Sequence, residues 1–137
     1  MASTTDTAYE FDLYIEPDLT VRTLDGRPIA GATVTLYAYD AQTGSFLPVP
    51  NGDAIMAPVN RSNPDTTDEF GNFGWDLSGG IYKIRAAKAG CAAPSIPWQS
   101  FVESDVLAVP NHNATDLDLY LDCSKNYVYI YLPLVQR

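Results

Sequence analysis

Histidine is almost missing from this chain: His112 is the only one among 137 residues. Together with the two cysteines it would leave a zinc ion one ligand short, and the spacing is unlike that of a zinc finger. A serine or cysteine nucleophile would need that same imidazole, which sits in the turn Pro110–Ala114, and no strand-to-helix elbow motif occurs. His112 therefore reads as an exposed loop residue, and no catalytic residue is expected. Positive charge is also scarce. Eight Lys and Arg stand against seventeen Asp and Glu, a formal charge of −9 that would repel phosphate backbones and anionic headgroups. Nucleic acid and membrane surfaces are not expected as partners, and solubility alone accounts for such acidity. No apolar run approaches the ~20 residues of a membrane span, and the N-terminus lacks the basic-then-apolar layout of a signal peptide. A secretion signal would lie outside this sequence, and residues 1–8 read as a polar linker.

An uninterrupted amphipathic helix is lacking as well, because ten Pro and nine Gly cut the chain into short pieces. What is present favours strands: nine Tyr, five Phe and two Trp with only 18% charged residues. Tyr9–Ile15 alternates apolar and polar, and Leu19–Leu24, a turn at Asp25–Gly26 and the alternating run Thr33–Tyr39 frame a tight corner. From Asp40 to Phe70 the chain makes a long excursion rich in turn residues, with one or two short strands expected. Asn72–Leu77 and Ile81–Ala87, joined by Ser78–Gly80, read as a hairpin. Phe101–Val109, Asp116–Leu121 and Tyr127–Leu132 supply further strands, Pro133 placing the end of the last at an edge. Seven to nine short strands separated by turns predict a single all-β domain, a two-sheet Greek-key β-sandwich over residues 9–123, with 124–137 as a C-terminal strand or tail.

Three separated motifs, LDGRPIAGATVTL at 24–36, TDEFGNF at 67–73 and GIYKIRA at 80–86, resemble the carboxypeptidase regulatory-like group of prealbumin-like and Cna-B-type sandwiches, in the same order. The resemblance covers residues 19 to about 91, a little over half the chain. It implies a prealbumin-like fold and a non-catalytic module appended to a secreted or surface bacterial protein, without a cofactor. From Cys91 onward nothing matches a family pattern. Intradiol dioxygenases use a similar sandwich but hold iron through two Tyr and two His, which one His cannot supply. Cna-B relatives with internal isopeptide bonds need a Lys near the first strand, whereas the lysines here are Lys83, Lys88 and Lys125.

Cys91 and Cys123 flank predicted strands, and an even count in a domain expected to be extracellular points to a disulfide, the alternative being two buried thiols. Asp65, Asp68, Glu69 and Asn72 crowd one turn and form a calcium candidate. Their spacing is not that of an EF-hand, and turns favour Asp and Asn for backbone reasons. The candidate binding loop lies in the excursion, at Phe46, Asn51, Asp53, Asn60, Arg61, Asn63 and Asp65, because loops on rigid sandwiches carry recognition; a packed surface loop is the alternative. Trp75 and Trp98 are the residues that could stack on a sugar, Trp75 reading as core and Trp98 as either. The Tyr127–Leu132 strand either closes a sheet or pairs with a second copy. The expected function is adhesion, spacing or protein contact by an accessory module, with carbohydrate binding as the alternative.

Overall fold

The computed structural model describes residues 18–109 and 116–124. The expected strand Tyr9–Ile15, the turn holding His112 and the run Tyr127–Leu132 lie outside the described residues. Among those described there is no helix, and nine strands form a two-sheet β-sandwich. They are β1 (Asp18–Thr23), β2 (Thr33–Asp40), β3 (Ser45–Pro48), β4 (Asp65–Thr66), β5 (Asn72–Phe73), β6 (Gly80–Ala87), β7 (Phe101–Glu103), β8 (Leu107–Val109) and β9 (Asp116–Leu121). The smaller sheet has the order β5-β1-β9, with β9 parallel to β1 from Asp18↔Asp116 to Thr23↔Leu121. In the larger sheet β2 and β6 pair centrally. Beyond β2 lie β3 and β4, and beyond β6 lie β7 and β8.

Alternation decides which side of each strand is buried. Val34 and Leu36 on β2, and Tyr82, Ile84 and Ala86 on β6, face Leu19 and Val21 of β1, Phe73 of β5, and Leu119 and Leu121 of β9 in one core. Trp75, 2% exposed, fills the space between the sheets and meets Phe73 edge-on, ring centroids 5.9 Å apart. Its indole N–H donates to the Ser62 carbonyl at 2.6 Å and the Tyr82 hydroxyl to that of Ser78 at 2.8 Å, so both polar tips of these buried rings are satisfied.

The corner between β1 and β2 is tied by a segment distant in sequence. Gly26, at φ 90°, closes the turn, and the Ile29 N–H returns to the Val21 carbonyl. Above this corner the Thr67 hydroxyl accepts from the Ala32 N–H at 2.8 Å and donates to the Ile29 carbonyl at 2.7 Å. The Gly71 carbonyl accepts from the Val21 N–H at 2.9 Å, and a Cβ on Gly71 would lie 2.7 Å from the Val21 oxygen. Within the turn, the Thr23 hydroxyl and then the Arg27 guanidinium hold the Asp25 carboxyl below its ordinary value. The motifs at 24–36 and 67–73 are therefore two halves of one joint, and 80–86 is β6, the strand beside β2.

The expected hairpin of Asn72–Leu77 with Ile81–Ala87 is not formed. β5 pairs with β1, Leu77 bridges to Met56, and β6 pairs with β2. Both runs alternate correctly, but Ser78–Gly80 carries the chain from one sheet to the other instead of reversing it within a sheet. Phe101–Val109 is likewise two strands, β7 and β8, separated at Ser104–Val106.

Candidate functional site

The excursion between β2 and β5 contributes two short strands, and its polar side chains are largely engaged in building it. Asn63, 6% exposed, sits between β3 and β4, where the edge of β2 would otherwise lack a partner. Its Oδ1 accepts from the Leu36 N–H at 2.9 Å, while its Nδ2 donates to the carbonyls of Leu36 at 2.9 Å and Val49 at 2.7 Å. A side-chain amide thus replaces a missing strand residue. Asn51 Oδ1 accepts from the Asn63 N–H, and Asp53 Oδ1 from the Ile55 N–H. Asn60 Nδ2 donates to Asp65 at 3.1 Å and to the Gly74 carbonyl at 2.7 Å, and Arg61 Nε donates to the Met56 carbonyl. Six of the seven residues expected to form a binding loop therefore serve the loop's own packing. The seventh, Phe46, lies on β3 against Tyr39.

The acidic turn is also built for its backbone. Asp68 Oδ1 accepts from the N–H groups of both Phe70 and Asn72 at 2.9 Å, and the Gly71 N–H closes on the Asp68 carbonyl. Asp65 is turned towards Asn60. Among the described residues no three of His, Cys, Asp and Glu are grouped to hold a metal; Asp65, Asp68, Glu69 and Asn72 form an Asx turn and its neighbours. Beside this turn a cavity of about 340 Å³ opens between Val59 and Asn60 of the excursion and the segment running from Asp68 to Asp76. Its walls carry two carboxylates, Asp68 and Asp76, and two amides, Asn60 and Asn72, beside Phe73 and Trp75. Sequence reasoning missed Val59 and Asp76 because the two segments meet only in the folded chain.

The segment between β6 and β7 presents the opposite situation, a large apolar side chain kept in solvent. Cys91 and Cys123 form a disulfide, and beside it Ala92 and Asp122 exchange backbone hydrogen bonds of 3.0 and 2.7 Å. Two successive turns follow, the Ile96 N–H closing on Ala93 and the Gln99 N–H on Ile96, and the Ala93 N–H bonds the Gln99 carbonyl across both. Ser95 adopts φ 66° in the first of them. Gln99 Nε2 then fastens the end of the loop to the Phe101 carbonyl at 2.9 Å. On this braced loop Trp98 is 83% exposed. An indole in water on a preorganised backbone can insert into a partner's pocket, or stack on a sugar ring, with little conformational entropy left to lose. The two tryptophans thus divide, Trp75 to the core and Trp98 to the surface. No protein-family model and no curated protein matches this chain.

Proposed function

We propose that the chain is a non-catalytic accessory module of a larger secreted or cell-surface bacterial protein, making contacts for adhesion or spacing. The observation that carries this reading is Trp98, held in solvent on a loop braced by a disulfide and three backbone hydrogen bonds. Aromatic side chains of this kind dominate protein interfaces. A disulfide in a small β domain fits an oxidising, extracellular setting, and no helix among the described residues is long and apolar enough to cross a membrane. The resemblance to carboxypeptidase regulatory-like sandwiches supports the same reading, since its three motifs meet in one structural unit around the β1–β2 corner.

Carbohydrate binding is the second reading, favoured by the same exposed indole. The experiment that separates them presents the oxidised domain to a glycan array and, in parallel, to purified extracellular-matrix proteins. Saturable binding to a protein that Trp98→Ala weakens about tenfold or more is the expected result for a hot-spot aromatic. Binding to a defined neutral sugar, lost in the same variant, would establish the carbohydrate reading instead. Binding indifferent to Trp98→Ala would remove the loop from either account.

A further inference from the structure

The outward side of the larger sheet differs in chemistry from the rest of the molecule. The register puts Tyr37 beside Lys83, Thr35 beside Arg85, Tyr39 beside Phe46, Arg85 beside Glu103 and Ala87 beside Phe101, all pointing away from the core. The Arg85 guanidinium lies between two rings, 4.0 Å from the Phe101 centroid and 5.3 Å from that of Tyr37, and its Nη2 reaches Glu103 at 2.6 Å. The Lys83 ammonium stands 5.1 Å over Phe46 and 3.9 Å from Glu103. Tyr39 and Ile81 remain 46% and 43% exposed at the far end. At the near end the face continues into a depression of about 400 Å³ lined by Thr33, Ala87, Lys88 and Ser100. Rings and cations thus alternate along roughly 20 Å of strand, from Thr33 to Tyr39. This strip and its depression carry three positive charges, Lys83, Arg85 and Lys88, against Glu103, on a chain whose net charge is −9.

We propose that this face binds an acidic polysaccharide, a glycan chain bearing carboxylates, laid along β2 and β6. Lys83 and Lys88 pair with its carboxylates, and the apolar faces of its sugar rings rest on Tyr39 and Ile81. Local positive charge on an acidic protein selects a partner of the opposite sign at this place alone. A nucleic acid, with one charge per ~1.7 Å of duplex, would meet repulsion from the acidic remainder of the molecule; a glycan with at most one carboxylate per sugar is far less densely charged. The inference rests on the reading of the chain as a contact module; its surface reaches the base of the Trp98 loop at Lys88 and Ser100 but does not include Trp98 itself.

Polygalacturonate is the probe, with the full oxidised chain run through gels containing it and affinity measured by interferometry at low and physiological salt. Retardation that weakens with salt, and an affinity lowered about tenfold or more by Lys83→Gln with Lys88→Gln, is expected. Tyr39→Ala is expected to lower it about threefold, a single stacking contact's share. Trp98→Ala and Arg27→Gln are expected to leave it unchanged. Absence of retardation overturns the proposal, as does equal binding of polyglutamate or a single-stranded oligonucleotide, which would reduce the effect to charge alone. Loss with Trp98→Ala but not with the lysine variants would move glycan binding to the loop, overturning this site while leaving the module reading intact. Thermal melts check that each variant is folded; should the double variant melt early, Lys88→Gln alone, outside any strand, carries the test.

Discussion

Asn63 shows how much one side chain can do where a sheet edge is interrupted. It was legible in the sequence as a polar loop residue, and its burial was not, because the strand edge it completes belongs to β2, distant along the chain. Asn63→Leu keeps the volume and removes the partners of the Leu36 N–H and the Val49 carbonyl, the Leu36 carbonyl retaining the Val49 N–H. A loss of about 2–4 kcal/mol is expected, read as a lower urea midpoint at unchanged slope; a loss under about 1 kcal/mol would mean that water replaces the amide. Asn63→Asp separates hydrogen bonding from shape. Its carboxylate would face two carbonyl oxygens in a buried site, which raises its folded pKa above the unfolded value, so its destabilisation should grow as pH rises past the ordinary aspartate range. Trp75 and Trp98 make the complementary point: its place in a predicted strand marked Trp75 as core, while the Pro-flanked loop around Trp98 carried no pattern from which its exposure could be read.

At the scale of elements, strands were far more legible than their partners. Every described strand of three or more residues falls within a run or excursion where alternation or turn spacing placed one, since period-two patterning is a local property. The break between β7 and β8 was not visible, because Phe101–Val109 has no Gly or Pro to mark it. There the Ser104 hydroxyl accepts from the Ile84 N–H at 2.9 Å and donates to the Asp105 carbonyl at 2.8 Å, while its own N–H donates to the Ile84 carbonyl. The ladder thus continues through a side chain across an irregular step. Ser104→Ala should cost about 1–2 kcal/mol and speed hydrogen exchange at the Ile84 amide ahead of other β6 amides; uniform exchange along β6 would show that the hydroxyl is dispensable. The unformed hairpin between β5 and β6 has the same origin, because a Ser-Gly-Gly turn permits reversal within a sheet and passage between sheets alike, and only the core chooses.

For the whole molecule, the disulfide joins the end of β6 to the end of β9, and so one sheet to the other, across a sequence separation of 32 residues. Closing a loop of that length contributes roughly 4 kcal/mol in the chain-entropy model, and Cys91→Ala with Cys123→Ala should lower the melting temperature by on the order of 10 °C. A shift within about 2 °C would mean that the backbone bonds between Ala92 and Asp122 already hold the ends together. Composition, charge and patterning by themselves determined the all-β class, the two-sheet outcome, the corner at Asp25–Gly26 and the pairing of the only two cysteines. They could do so because each depends on near neighbours or on counting. Tertiary structure alone decided which strands pair, that the excursion's amides turn inward, that Trp98 turns outward, and that Lys83, Arg85 and the tyrosines share one face. Those outcomes depend on contacts between distant segments, which no local pattern encodes; on the strands, the common core fixes which side is left free.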